Sequence, residues 1–228
     1  MNTPATEDYL RAIYELATPG GWVSTSQIAA AMEVRPASVT GMIQKLAAAE
    51  PPLLEYHKHH GVALTPEGRQ AALEVLRHHR LLEVFLHDVL GFAWDAVHDE
   101  ADRLEHVISE EFERRVDAML GHPTRDPHGE PIPDPALRMP ADAGMLLSRL
   151  LPGQRATVQR IDEENTEFLR YVSRLGLKPG AHLTVLEYSP IDENFHLAVD
   201  GQPGPVVVGK LITEHITVQA EPDEDVNT

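Results

Sequence analysis

The length, composition and charge of the chain exclude several classes of protein. Its 228 residues are 42% hydrophobic, enough for one large core or two smaller ones, and the lack of cysteine excludes disulfides and thiolate metal sites. A formal net charge of −17 argues against generic nucleic-acid binding, because phosphates are bound by positive surfaces. The 13 histidines beside 36 acidic residues are nevertheless donors for divalent cations, which would offset part of that negative charge.

The sequence shows no targeting or membrane signal. Residues 1–10, MNTPATEDYL, are polar and acidic, unlike a signal peptide. No apolar run reaches the roughly 18 residues that a membrane helix requires. We therefore expect a cytoplasmic protein with no membrane partner.

Three helices followed by a hairpin are predicted in the N-terminal part, at 6–17, 24–32, 36–50 and 53–64. Thr6 is a plausible N-cap of the first helix, and Ser24 with Gln27 forms a capping-box pattern at the second. Pro36 suits the first turn of the third helix, where its missing N–H costs nothing. This order of elements is typical of a winged helix-turn-helix, which we assign to residues 1–75.

The third helix would present its N-terminal turns to the major groove of DNA. Its exposed positions are small or polar, so it can approach base edges and phosphates closely. With two residues of the second helix and one of the hairpin, the predicted DNA-binding set is Ser26, Gln27, Arg35, Pro36, Ala37, Ser38, Thr40, Gly41, Gln44, Lys45 and Lys58. The same order of elements occurs in other contexts, and residues 1–75 carry five basic against eight acidic residues, so charge does not favour DNA binding.

Two further predicted helices carry possible metal donors. The fourth helix runs to Gly91, with His79 and Glu83 one turn apart on one face. The fifth covers about 94–120, and four donors lie within an arc of roughly 100° beside its apolar stripe: His98, Asp102, Glu105 and His106. Asp8 of the first helix could join them. These oxygen and nitrogen donors suit Mn²⁺ and Fe²⁺, with Zn²⁺, Ni²⁺ and Co²⁺ as competitors, although a solvated acidic helix face would show the same pattern.

The C-terminal part changes character. Residues 121–141 are rich in proline and predict a semi-rigid connector, and a short linker helix is predicted within 141–152. Strand-like runs between Gly, Pro and Asp turns occupy 153–222, with one helix at NTEFLRYVSRL, and predict a small β-barrel. The tail, 223–228, is expected to be disordered.

Several stretches carry the motifs of one known family. They are TEDYLRAIYEL (6–16), RPASVTGMIQKL (35–46), LTPEGR (64–69), RHHRLLEVFL (77–86), VHDEADRLEHVISEE (97–111) and HPTRDPHGEPIP (122–133). In these motifs the chain resembles the diphtheria toxin repressor family, which includes iron-dependent repressors and manganese transport regulators. RLGLKPGAHLTV (174–185) resembles the FeoA-like, SH3-like domain attached to longer members.

The resemblance implies a mostly α protein with a small β domain. The implied domains are an N-terminal winged helix-turn-helix (1–75), a helical metal-binding and dimerisation domain (76–140), a linker helix (141–152) and a C-terminal SH3-like β-barrel (153–222). It also implies a homodimer in which bound metal fixes the DNA-reading heads at operator spacing.

The resemblance further implies two metal sites per protomer. The regulatory site corresponds to Asp8, Asp102, Glu105 and His106, and the ancillary site to His79, Glu83 and His98. In some longer members the C-terminal domain adds ligands, for which Glu164 and Glu167 are the nearest match.

Two positions depart from the family pattern. The toxin-repressor branch has sulfur ligands where this chain has Asp8 and Asp102, and the harder oxygen donors shift preference towards Mn²⁺. The manganese branch has a glutamate where this chain has Arg11, which puts the two-ion cluster of that branch in doubt here.

We therefore interpret the chain as a metal-dependent transcription regulator, expected to be a repressor, that binds palindromic double-stranded operator DNA when loaded with Mn²⁺, the preferred ion, or Fe²⁺. It would control metal-ion homeostasis genes. We expect no enzyme, since GxSxG, P-loop and HExxH motifs are absent from the sequence. The alternatives are a metal-independent winged-helix regulator of a small organic ligand, a metal-dependent hydrolase, and an interaction module built on the barrel.

Overall fold

The computed structural model describes residues 3–17, 21–141, 143–162 and 165–222. Predicted ligand Glu164 and the predicted disordered tail lie outside these residues. The helices are α1 (Pro4–Leu16), α2 (Thr25–Ala31), α3 (Pro36–Ala47), α4 (Pro66–Val84), α5 (Val97–Leu104), α6 (Glu110–Met119), α7 (Thr166–Arg174) and α8 (Lys210–Thr213). The strands are β1 (Leu54–His57), β2 (Gly61–Leu64), β3 (Met145–Leu146), β4 (Arg155–Ile161), β5 (His182–Ser189), β6 (Asn194–Val199), β7 (Val206–Val208) and β8 (Ile216–Ala220).

The chain folds into two compact units that cut across the sequence. The first unit contains 1–79, 102–114 and 133–139, and the second contains 80–101, 115–132 and 140–228. Among the described residues, no helix combines the length and apolarity that crossing a membrane would demand.

The first unit begins with the predicted winged helix-turn-helix. Ser24 and Gln27 form the expected capping box at α2, and Pro36 opens α3 as predicted. The hairpin is antiparallel, with Leu54 opposite Leu64, and Val23 adds an isolated bridge to the second strand. Apolar residues of the three helices and both strands share one core, which fixes α3 against α1: Tyr9, Leu10, Ile13, Val23, Ile28, Ala29, Val39, Ile43, Leu46, Leu54 and Val62.

The first helix starts one turn earlier than predicted. Thr3, not Thr6, is the N-cap, and Pro4 occupies the first turn. The reason is that the hydroxyl of Thr3 accepts the N–H of Thr6, so the helix already includes the predicted cap. Thr6 is buried, and its own hydroxyl lies 3.0 Å from that of Thr3.

The predicted fourth helix is present as α4, which continues into a π-helical turn over Phe85–Val89. The prediction of one helix over 94–120 is wrong, since α5 and α6 are separate. Ser109 divides them, because its side chain accepts the N–H of Phe112 and its carbonyl accepts the N–H of Glu113. The apolar periodicity continues across the break, so the pattern alone does not reveal it.

The second unit contains a six-stranded antiparallel sheet in the order β3-β8-β4-β5-β6-β7. Residues from every strand except the edge strand β3 form its core with α7 and Trp94. The prediction of a linker helix within 141–152 is wrong for the residues described there, 141 and 143–152, which form no α-helix. Met145–Leu146 instead pairs with β8, and Leu147–Arg149 forms a 3₁₀ turn that buries Leu147 in the sheet core.

Candidate metal centre

Three predicted donors converge in the first unit. Asp8 projects from α1, while Glu105 and His106 follow the end of α5, and one ligand atom from each lies within 4.8 Å of the others. Nε2 of His106 lies 2.8 Å from Oδ1 of Asp8 and 3.4 Å from Oε1 of Glu105. Residues almost a hundred positions apart therefore present two carboxylates and an imidazole to one point.

Glu105 provides the test of whether this group fits a cation. Its side chain is 1% exposed, and among the described residues its Oε1 atom has no hydrogen-bond partner. Burial of an unpaired carboxylate oxygen is costly unless a cation or donor compensates. Burial also raises the pKa of Asp8, as does the negative charge of Glu105, against the opposing effects of His106 and Arg11. A divalent cation would offset the cost of burying the unpaired oxygen of Glu105 and the cost of burying charged Asp8. The three donors therefore fit a divalent cation.

A residue that the sequence pattern did not single out orients His106. Oε2 of Glu7 lies 2.7 Å from Nδ1 of His106, which leaves Nε2 directed at Asp8 and Glu105. Histidines that ligate metals commonly donate their second N–H to a carboxylate in this way. That rule predicts that some acid supports His106, but the sequence does not say which one.

Asp102 belongs to a neighbouring group and not to the one around Asp8. It forms a set of possible ligands with His79 and Glu105, again within 4.8 Å. Oδ1 of Asp102 lies 3.2 Å from Nδ1 of His79 and 2.9 Å from Nη2 of Arg11. The structure therefore brings together three of the four predicted regulatory ligands and places the fourth, Asp102, in the group of His79 and Glu105.

The predicted ancillary donors are divided between the two units. His79 belongs to the first unit and Glu83 follows it by one turn on α4. In the second unit, Nδ1 of His98 lies 3.3 Å from Oε1 of Glu83. Glu167 is exposed in the first turn of α7 and belongs to none of the ligand groups found among the described residues.

The second unit holds another donor group that sequence reasoning missed. Glu83, Asp126 and His128 are all buried, with one ligand atom each within 4.8 Å. Burial, followed by the charge of Glu83, raises the pKa of Asp126 to about 8, although Arg80 and His128 oppose this. The signal that could have revealed this group is the stretch HPTRDPHGEPIP. It contains Asp126 and His128 and lies in the connector between predicted elements.

The residues predicted to bind DNA are mostly exposed in the first unit. The residues predicted on α3 and its N-cap are exposed except for Thr40, which is half-buried and donates to the carbonyl of Pro36 at 3.1 Å. Ser26 and Lys58 are also exposed. Gln27 is exposed, but its Oε1 already accepts the N–H of Ser24 in the capping box. It is the weakest member of the predicted set.

A winged helix-turn-helix combined with carboxylate and histidine groups suited to divalent cations defines a metal-dependent transcription regulator. Comparisons with known families agree along the chain. Residues 1–62 match "Iron dependent repressor, N-terminal DNA binding domain", residues 65–134 match "Iron dependent repressor, metal binding and dimerisation domain", and residues 145–220 match the FeoA domain.

Individual relatives extend this agreement. The iron-dependent repressor IdeR of Mycobacterium leprae is 36% identical over 81% of this chain and 84% of its own length. The HTH-type transcriptional regulator MntR of Geobacillus thermodenitrificans is 37% identical over 57% of this chain and all of its own. A solved structure of a manganese-dependent transcriptional repressor in complex with manganese has a TM-score of 0.84 and 37% identity, and covers 93% of this chain and 98% of its own.

The chain therefore belongs to the iron-dependent repressor family. The resemblance to the diphtheria toxin repressor family and the predicted fold class are confirmed.

Proposed function

We propose that this chain is a repressor that binds double-stranded operator DNA as a homodimer when loaded with Mn²⁺ or Fe²⁺. It would act in the cytoplasm, control metal-ion homeostasis genes and have no enzymatic activity. The observation that carries the proposal is the meeting of Asp8, on α1, with Glu105 and His106. The relatives' names, which are those of repressors and regulators, support it.

The first helix is the physical link between the donors and the DNA-reading helix. One side of α1 contributes Leu10 and Ile13 to the core that also contains Val39 and Ile43 of α3. The other side carries Asp8. A change in the position of α1 is therefore passed to α3 through packed side chains and needs no flexible connection.

Charge provides the free energy for the switch. Without a cation, burial raises the pKa of Asp8, and the negative charge of the buried Glu105 raises it further, so the charged form of Asp8 is disfavoured. A bound divalent cation would supply the positive charge that both carboxylates need. Closure of α1 towards residues 105–106 then becomes favourable, and the metal and operator DNA each tighten binding of the other.

Donor chemistry supports Mn²⁺ as the preferred ion. All candidate ligands offer carboxylate oxygen or imidazole nitrogen, and the chain has no thiolate. Hard oxygen donors suit Mn²⁺, whereas softer sulfur ligands favour other metals. Glu7 would set the tautomer of His106 so that Nε2 is available as a ligand.

We also propose a second metal position in each protomer, centred on Glu83. His79 and His98 are its partners in the original prediction, and Asp126 and His128 are buried alternatives in the second unit. Dimerisation is assigned to the helical domain, 76–140, and the FeoA-like domain is assigned to 153–222. Glu164 and Glu167 stay the residues proposed as additional ligands from the C-terminal domain.

The test is the dependence of DNA affinity on metal. A random duplex library is selected with the full-length protein and Mn²⁺, and affinity for the enriched duplex is measured with Mn²⁺ and with EDTA. We expect at least about tenfold tighter binding with Mn²⁺, a typical coupling free energy of roughly 1.4 kcal/mol. Light scattering should give the mass of two chains per complex.

Two variants separate the proposal from its alternatives. Glu105→Gln removes the buried charge, so the effect of Mn²⁺ on DNA affinity should be lost. Glu67→Gln, an exposed substitution in the first turn of α4, should keep it. Equal affinities with and without Mn²⁺ would overturn the proposal. A metal response that survives Glu105→Gln would show that another group acts as the switch.

A further inference from the structure

Arg11 lies among the donors next to the candidate metal centre. Its Nη1 atom is 2.8 Å from Nδ1 of His79 and 3.1 Å from Oε2 of Glu105, and its Nη2 atom is 2.9 Å from Oδ1 of Asp102. These three residues are the group whose ligand atoms lie within 4.8 Å of one another. The guanidinium therefore contacts every donor that a cation at this point would bind.

The charge of Arg11 is permanent in this environment. The side chain is only 15% exposed and contacts the carboxylates of Asp102 and Glu105, and a guanidinium stays protonated in proteins. A guanidinium presents several N–H donors in a fixed plane, which matches two carboxylates and an imidazole nitrogen at once. It cannot leave the group by losing its proton.

The two oxygens of Glu105 thus have different surroundings. Oε2 faces Arg11 and His79, at 3.1 Å and 2.6 Å. Oε1 faces the group of Asp8 and His106 and has no hydrogen-bond partner among the residues described. The negative charge at Oε2 is therefore compensated by Arg11, whereas Oε1 has no such partner among the residues described.

We propose that Arg11 is a resident cation that takes the place of a second metal ion beside Glu105, so that the centre binds a single divalent ion, on the Asp8 and His106 side. This inference rests on the proposed function and adds a limit on the number of ions. A divalent ion among His79, Asp102 and Glu105 would have to displace a buried guanidinium that contacts all three of these residues. If it did not, it would lie in contact with a like charge in a poorly screened site.

The same contacts give Arg11 a second role in the metal-free protein. Arg11 follows Asp8 by three residues on α1, so both project from the same side of that helix. Its bonds to Asp102 and Glu105 tie α1 to the end of α5 without metal. Arg11 is therefore a positioning residue, and it determines the number of ions that the centre can bind.

The experiment counts ions and tests their spacing. It uses full-length protein carrying Glu83→Gln, which disables the groups that depend on Glu83, and titrates it with Mn²⁺ alone. Electron paramagnetic resonance distinguishes two ions that share the Glu105 carboxylate, which are magnetically coupled, from isolated ions elsewhere. With Arg11 present we expect no coupled signal. Arg11→Gln should add one tightly bound Mn²⁺ per chain and a coupled signal.

Two controls isolate the charge and its position. Arg11→Lys keeps a cation at the site, so it should show no coupled pair. Arg114→Gln removes an exposed arginine that pairs with Glu111 in the same unit, and it should leave the ion count unchanged. In EDTA, Arg11→Gln should lower the melting temperature of the metal-free protein more than Arg114→Gln does, because only the former breaks buried ion pairs.

The outcomes separate this inference from the proposed function. A coupled pair in protein that retains Arg11, or no additional ion in Arg11→Gln, would overturn the inference and leave the proposed function intact. Loss of all Mn²⁺ binding in the Glu83→Gln protein would overturn the proposed regulatory site and the inference with it. If Arg11→Gln does not fold, the spectrum of the protein with Arg11 still decides.

Discussion

Oε2 of Glu7 lies 2.7 Å from Nδ1 of His106, across 99 positions of sequence. Neighbouring residues of α1 thus meet both nitrogens of one imidazole, since Asp8 faces Nε2 at 2.8 Å. The pairing orients the ring before any ion binds, which reduces the cost of ordering a ligand. Helix α1 therefore carries both a candidate ligand and the group that supports another ligand.

The first prediction follows from this pairing. Glu7→Ala should weaken Mn²⁺ binding about 10- to 100-fold, the usual effect of losing a supporting carboxylate, without removing the site. Titration calorimetry in the Glu83→Gln background measures it. Glu67→Ala, an exposed change on α4, serves as the control. Equal Mn²⁺ affinity in Glu7→Ala and Glu67→Ala would show that Glu7 does not support the site.

A pair of glycines gives the second prediction. An added Cβ at Gly41, on α3, meets nothing within 4 Å, whereas at Gly68, on α4, it would lie 1.9 Å from the carbonyl oxygen of Leu53. Gly41→Ala should therefore raise the free energy of unfolding by up to about 1 kcal/mol, and Gly68→Ala should lower it by about 1–3 kcal/mol. Urea unfolding tests both. If α3 approaches DNA closely, Gly41→Ala should also weaken operator binding despite the gain in stability.

Local features of the fold were predictable because their causes are local in sequence. Ser24 and Gln27 cap α2, and Pro36 opens α3, through contacts within a single turn. The break at Ser109 was missed because an apolar periodicity in the sequence can continue across two separate helices. The edge strand at Met145–Leu146 was also missed, since its pairing partner lies more than seventy residues away.

In the candidate metal centre, too, the features with local causes were predictable, and those that depend on distant contacts were not. Glu105 and His106 are adjacent in sequence, just beyond the end of α5, and the resemblance adds Asp8. The supporting role of Glu7 and the diversion of Asp102 to Arg11 depend on tertiary contacts that no periodicity encodes. The sequence therefore predicts which residue types could bind a cation, whereas the contacts of each donor become visible only in the structure.

The third prediction concerns α3, the helix proposed to read DNA. Lys45 is exposed in the last turn of α3, where a phosphate contact would suit its charge. Lys45→Gln should weaken binding to all duplexes by a similar factor and reduce the slope of log affinity against log salt by about one. Fluorescence anisotropy at several salt concentrations measures this slope. Lys210→Gln, in the second unit, should leave it unchanged, and a shift in sequence preference without a change in slope would contradict the phosphate contact.

The fourth prediction is a pH dependence of stability set by Asp126. Burial, with the charge of Glu83, raises its pKa from 3.8 to about 8 in the folded chain. Between these values the unfolded chain has released the proton that the folded chain retains, so stability should fall as the pH rises. Asp126 can contribute up to about 1.4 kcal/mol per pH unit to this slope.

Urea unfolding in EDTA at pH 5.5, 6.5 and 7.5 tests the slope. Asp126→Asn cannot ionise, so its stability should fall less steeply over this range. Hydrogen bonds from the backbone and side chain of Arg138 lower the pKa of Asp134, so Asp134→Asn should retain the native slope because that carboxyl is ionised in both states. Mn²⁺ should flatten the native curve, since a cation beside Glu83 stabilises ionised Asp126. A native slope that survives Asp126→Asn would assign the effect to another buried group.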